Sequence, residues 1–209
     1  MYLTDIQAVV GSSPTNSTKH KIVMDKYGVI LARLQPIHNG HLELIRQALN
    51  ENDKVLLLVG SADKLNKRNP IPIALRLEMA HEAINDTFGD DAKRVQIEPL
   101  DDLKDEGNDT HEWGFYLFCN IVERTKNPIF TMYYSDGFEI IMSWFPPYVT
   151  SKLVSFKLIA RGNVHDGVSA SKVRDCIWRG NKTAFEKLVP ECVTKRIEIL
   201  SQFIKVYYN

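Results

Sequence analysis

Two imidazoles, His38 and His41, stand three residues apart with Gly40 between them. They follow an apolar run at 27–33 and the breaker Pro36, and they open a segment at 42–49 whose apolar positions Leu42, Ile45, Ala48 and Leu49 fit one face of a helix. That pattern reads as strand, tight turn and helix start. The first backbone N–H groups of a helix lack internal partners and sit at the positive end of its dipole, so such a junction attracts anions. Gly40 has no side chain to block a phosphate, and two rings at i and i+3 can project from one side of the first turn. The chemistry these residues suit is a nucleotide-phosphate cradle. The plain structural alternative makes one His a cap and the other a core residue; the preceding strand, Pro36 and Arg33 favour the cradle.

Two further stretches carry similar chemistry. At 168–174, Val-Ser-Ala-Ser-Lys-Val-Arg places Ser169 as a candidate N-cap, Ser171 in the first turn, and Lys172 and Arg174 close behind. A capping serine orients the helix amides, and the two cations can follow charge that shifts during a reaction. Gly60-Ser61-Ala62 and then Arg68-Asn69-Pro70 form the other stretch. A short Gly-Ser turn offers backbone N–H groups, and an Arg fork binds phosphate oxygens in pairs. Taken singly, the first is also an ordinary Ser-capped helix and the second a solvated loop beside Lys64 and Lys67.

The elements that must position these residues alternate. The run at 54–60 is continuously apolar, as in a parallel strand covered on both faces. Further strands are predicted at 94–98, 129–134 and 153–160, with helices over 73–84, 113–124, 169–178 and 192–207, and an acidic loop at 100–111. Strand–helix alternation predicts an α/β fold, a doubly wound and mostly parallel sheet with C-terminal helices. In such sheets ligands bind beyond the carboxyl ends of the strands where strand order reverses, so the functional residues should follow strands 1, 2, 3 and 5. Asp136 reads as an N-cap for a helix starting at Gly137. His165 lies in the loop before the Ser-Lys-Arg stretch and reads as solvent-exposed.

A chain of 209 residues suits one sizeable domain. The polar tract at 11–18 predicts an arm over 1–24 ahead of a domain at 25–209. Twenty-six basic and 26 acidic residues cancel, which argues against a nucleic-acid or membrane-surface partner. Cys119, Cys176 and Cys192 form no C-x-x-C pair and are expected to be reduced and mostly buried. The His residues show no metal-ligand spacing, so no zinc site is expected. No apolar run reaches the ~20 residues that span a bilayer, and the N-terminal run is too short for a signal peptide, which makes the cytoplasm the expected location. Oligomeric state, a homo-oligomer included, is left open by the sequence.

In chain order, A-R-L-Q-P-I-H-N-G-H at 32–41, G-S-A at 60–62 with R-N-P at 68–70, and V-S-A-S-K-V-R at 168–174 resemble the nucleotidyltransferase superfamily that carries (H/T)-x-G-H and I-S-S-T-x-x-R signatures. Within it, the chain is most similar to the nicotinamide mononucleotide adenylyltransferases of the archaeal type, also found fused to Nudix domains. Their pattern reads G-R-F-Q-P-F-H-x-G-H, then G-S-A with R-(N/D)-P. The resemblance runs from about Tyr27 to the end of the chain. Ala32 stands where that family has Gly, and Leu34 and Ile37 replace bulky or aromatic residues, changes of packing that leave the polar groups in place. Related enzymes contact the nicotinamide nucleotide with an Asp and a Trp; Asp102 and Trp113 are the nearest matches here, across an acidic loop several residues longer. Trp113 reads equally as a base-stacking residue and as helix-face core.

The resemblance implies a Rossmann-like fold and transfer of AMP from ATP to the 5′-phosphate of a mononucleotide, with release of pyrophosphate and formation of NAD. It assigns His38, His41, Lys172 and Arg174 to catalysis, Arg33, Gly40, Arg68, Ser169 and Ser171 to the ATP phosphates, and Ser61, Asn69, Asp102 and Trp113 to the acceptor. Mg²⁺ is expected with ATP, held by phosphate oxygens and water rather than by a protein cage. Two other readings stay open: another transferase of the superfamily, acting on phosphopantetheine or with CTP on a phospho-alcohol, and a nucleotide-binding sensor without turnover. Retention of both histidines and both late cations argues against the sensor.

Overall fold

In a computed structural model of the chain, residues 24–104, 110–160 and 167–208 are described. The predicted arm, except Met24, and His165 lie outside them. Strand β1 (Tyr27–Ala32) is the centre of a five-stranded sheet with β2 (Lys54–Val59), β3 (Val95–Pro99), β4 (Phe130–Ser135) and β5 (Val154–Ile159), ordered β3-β2-β1-β4-β5 and paired in parallel throughout. Strand order reverses between β1 and β4. The expected doubly wound architecture is therefore present.

The continuous apolar run of β2 is explained by its two covered faces. Val55, Leu57 and Val59 join one core and Leu56 and Leu58 the other, the period of two that a pleated strand imposes. The first core is roofed by α1 (Asn39–Glu51), α2 (Ile73–Phe88) and the C-terminal helices α6 (Ala170–Trp178), α7 (Lys182–Leu188), α8 (Glu191–Thr194) and α9 (Ile197–Tyr208). The second is covered by α3 (His111–Thr125) and the short helices α4 (Ile141–Trp144) and α5 (Pro147–Thr150).

Helix α1 starts at Asn39 with His38 in the extended N-cap position, so the two histidines stand at the helix start as expected. Several other boundaries differ from expectation for identifiable reasons. Helix α2 runs on to Phe88 and ends at Gly89, whose φ of 53° opens a 3-10 turn to Arg94. Arg94 fastens that turn by donating to the carbonyls of Leu49, Asn52 and Asp53, so β3 begins one residue later than predicted. The helix expected over 192–207 is split into α8 and α9. Asp136 caps no helix: Gly137 has φ 79° in a turn, and the next helix starts at Ile141 with Ile140 as N-cap. Of the cysteines, Cys192 is buried, Cys176 half-buried and Cys119 exposed. No helix among the described residues is long and apolar enough to cross a membrane.

Candidate active site

A cleft of about 760 Å³ opens at the carboxyl ends of the strands, across the point of reversal. Its floor is the loop after β1. Leu34 holds φ 49° and a cis Gln35–Pro36 bond follows, and the buried Gln35 amide is fixed by Ile71, accepting from its N–H at 2.9 Å and donating to its carbonyl at 3.2 Å. From there the chain enters α1 through His38. The His38 N–H donates to Nδ1 of His41 at 3.2 Å, and the two rings stack with centroids 3.7 Å apart and planes 25° off parallel. The i, i+3 spacing thus delivers both imidazoles to one wall of the cleft.

Val168, just ahead of α6, packs on this helix start. A Cβ on Gly40 would lie 2.9 Å from Cγ1 of Val168 and 3.1 Å from the His38 ring. Glycine at 40 is therefore favoured by protein packing, through a neighbour that sequence spacing did not disclose. Ser169 caps α6 by accepting from the Lys172 N–H at 3.2 Å. Arg174 is 9% exposed, and its guanidinium donates to the Gln35 carbonyl at 2.8 Å and to Ser171 Oγ at 3.4 Å. This bond spans 139 residues of sequence and joins the two halves of the expected phosphate clamp. Lys172 is the exception: it is exposed and outside the cleft lining. Helical phase is the cause, since Ser171 and Arg174, three residues apart, share a face and Lys172 turns about 100° from Ser171.

The residues expected to take the acceptor follow β2 and β3 and the loops beyond them. Ser61, buried and at φ 49°, donates its hydroxyl to Asp102 Oδ1 at 3.1 Å, while the Asp102 N–H donates to Asp63 at 2.9 Å. Burial pushes the Asp102 carboxyl up, with the Asp63 charge in the same direction; the Ser61 bond, Lys64 and Arg33 oppose it. Asn69 is buried in the tight 66–69 loop, where Asn66 Oδ1 collects the N–H groups of Arg68 and Asn69 at 3.0 Å each. Trp113 is 4% exposed and packs edge-on against Trp144 at 5.9 Å between centroids, as part of the second core and of the cleft wall alike. Ser61, Asn69, Asp102 and Trp113 all face one cavity.

Among the described residues, Arg33, Lys64, Arg68 and Arg174 line the cleft against a single carboxylate, Asp102. The Arg33 guanidinium is held below its usual value by burial first and by repulsion from Arg68 and Arg174 next. Mutual repulsion among three guanidinium groups is relieved by a polyanion, so the electrostatics fit a polyphosphate. Sequence reading missed Arg76, Gln35 and the aromatic wall of Phe138 and Trp144. Arg76 carried a legible signal: it shares a helical face with Met79, Ala80 and Ala83, where a charge is out of place.

Residues 32–175 match the family model described as cytidylyltransferase-like. The chain belongs to this family. Among its relatives, the nicotinamide-nucleotide adenylyltransferase of Thermococcus onnurineus is 26% identical over 181 residues, covering 84% of this chain and 83% of the relative. The same-named protein of Caldivirga maquilingensis is 26% identical over 172 residues, 82% and 86% of the two chains. A bifunctional NMN adenylyltransferase/ADP ribose pyrophosphatase from Francisella tularensis, solved with AMP and a manganese ion, superimposes with TM-score 0.64 at 23% identity. The match covers 88% of this chain but only 52% of that protein, so this chain spans about half its length. The nicotinic acid mononucleotide adenylyltransferase of Plasmodium falciparum gives TM-score 0.57 at 15% identity over 85% of this chain and 98% of its own. The fold is the Rossmann-like nucleotidyltransferase fold.

Proposed function

We propose that the protein transfers the AMP moiety of ATP to the 5′-phosphate of nicotinamide mononucleotide, releasing pyrophosphate and forming NAD. The observation that carries this reading is the joining of two halves of an anion clamp: the stacked His38–His41 pair on α1 and Arg174 on α6, held together through the Gln35 carbonyl. The names of the archaeal relatives support the choice of acceptor. An oxygen of the acceptor phosphate attacks the α-phosphorus, the bond from that phosphorus to the bridging oxygen breaks, and its electron pair leaves with pyrophosphate. The nucleophile is already anionic, so no general base is needed; in-line positioning and charge neutralisation supply the catalysis. In this reading His38, His41 and Arg174 hold the triphosphate, with Ser169, Ser171, Arg33, Arg68 and the Gly40 turn around it. Lys172, on the exposed side of α6, meets the pyrophosphate as it departs. Ser61, Asn69, Asp102 and Trp113 receive the acceptor nucleotide.

ATP enters as its Mg²⁺ complex, with the ion as part of the substrate. Among the described residues the cleft is lined by one carboxylate, already bonded to Ser61, which fits an ion held mainly by phosphate oxygens and water. The test offers ATP or CTP with Mg²⁺ to nicotinamide mononucleotide, nicotinate mononucleotide, phosphopantetheine and phosphocholine in turn, and measures pyrophosphate. Release with ATP and nicotinamide mononucleotide is expected. Release only with CTP, or with none of the acceptors despite ATP binding, would reject the reading in favour of another transferase or a sensor.

A further inference from the structure

Arg76 is fully buried, at 0% exposure, and among the largest side chains of the interior. Its guanidinium meets only backbone carbonyls. Nη1 donates to Arg33 at 2.8 Å and to Gly60 at 2.9 Å, and Nη2 donates to Ser61 at 3.0 Å, while Nε is buried with no partner. The cation has no carboxylate among its hydrogen-bond partners; Asp102 attracts it and Arg33 repels it without touching it, and apolar residues of like volume would fill the position without the cost of burying a charge. Burial pushes the group down to about 10, so it stays charged at neutral pH. What the guanidinium supplies is the placement of three carbonyls.

Those carbonyls belong to the two loops that carry the two ends of the cleft. Arg33 and the Leu34 that follows it leave β1 toward the triphosphate clamp; Gly60 and Ser61 leave β2 toward the acceptor pair Ser61–Asp102. Leu34 and Ser61 both stand at φ 49°, a conformation that a side-chain-bearing residue keeps only where its surroundings hold it. A planar fork is suited to gripping both loops at once; a lysine ammonium on a shorter stem is a point donor and cannot reproduce it. In-line transfer is sensitive to this separation, because a misplacement of about 1 Å costs on the order of 100-fold in rate.

We propose that Arg76 is a positioning residue that sets the distance between the two bound substrates, by tying the β1 loop behind Arg33 and the β2 loop behind Ser61 to one guanidinium. The proposal rests on the adenylyl-transfer reading. Its signature is a split between binding and turnover: each half-site stays intact and only their relation is lost.

The experiment uses Arg76→Lys and, as the neutral variant of similar volume, Arg76→Met. ATP with Mg²⁺ and nicotinamide mononucleotide are titrated separately by calorimetry, and kcat is measured with both saturating. The expected result is full binding stoichiometry, each Kd within about threefold of wild type, and kcat lowered on the order of 100-fold. A kcat within about threefold of wild type in either folded variant overturns the proposal. So does loss of stoichiometry and of melting temperature in step with kcat, or failure of both variants to fold, since Arg76 would then be holding the fold rather than the geometry. Wild-type turnover is measured first: no dinucleotide from the wild type overturns the functional reading together with the proposal, whereas normal wild-type turnover with an unchanged Arg76→Lys rate overturns the positioning role alone.

Discussion

Replacing Arg174 with alanine tests the clamp at its joint. The guanidinium bonds the Gln35 carbonyl at 2.8 Å, and Gln35 is 2% exposed, so the variant leaves a buried acceptor without its donor. That costs about 1–3 kcal/mol of stability. For a chain of this size each kcal/mol lowers the melting midpoint by about 2–4 °C. A typical stability of about 5–15 kcal/mol leaves the variant folded at 25 °C, so a rate change there does not come from unfolding. Removal of one preorganised charge-stabilising donor lowers kcat by about 100- to 1,000-fold. Pyrophosphate release at saturating ATP and nicotinamide mononucleotide, with a thermal melt of the same sample, separates the two effects. Arg174→Lys keeps the charge and loses the fork, and is expected to fall between wild type and alanine. A folded Arg174→Ala protein with kcat within about threefold of wild type would refute the clamp.

His41→Ala removes a wall of the cradle and the acceptor of the His38 N–H, and is expected to lower turnover at least ~100-fold; near-normal turnover of the folded variant would reject the role. Gly114→Ala tests the packing of α3 on α4: the added Cβ would lie 1.9 Å from the Trp144 carbonyl oxygen, a backbone atom. The helices must part, and a loss of ~3 kcal/mol is expected; a melting midpoint within about 2 °C of wild type would show that the contact is not as close. Asp102 supplies a pH test. Burial raises its carboxyl above the ordinary 3.8, so its protonated form favours the fold, and the benefit is lost as pH rises from below 3.8 through the raised value. Thermal melts at pH 3.5 and pH 7 should show the wild type losing stability relative to Asp102→Asn at the higher pH; parallel curves would count against a buried carboxyl.

The strands and long helices were legible because their periodicities are set by geometry that acts within a few residues. The run at 54–60 fitted a doubly covered sheet, and the spacing of His38 and His41 fitted two rings presented together at a helix start. Residue type alone was not enough where the turn of the backbone or the phase of the helix decided the outcome. Asp136 resembled an N-cap, yet Gly137 turns the chain and the Ser135 carbonyl accepts from the Phe138 N–H at 3.1 Å, delaying the helix to Ile141. Lys172 sat between two residues that face the cleft, and helical phase put it outside.

By itself the sequence determined the α/β class, the order of the elements and the two helix starts proposed to bind phosphate, since propensity, capping and charge at a helix start are properties of neighbouring residues. Only the tertiary structure decided which residues meet. It brought Arg174 to Gln35 and Val168 onto Gly40, paired Ser61 with Asp102, and sank Arg76 beneath the loops of β1 and β2. Those contacts depend on strand order and on the direction each helix face takes in the packed molecule. The physical reason is that their groups, tens of residues apart in the chain, have no interaction until the sheet has formed and its cores have closed.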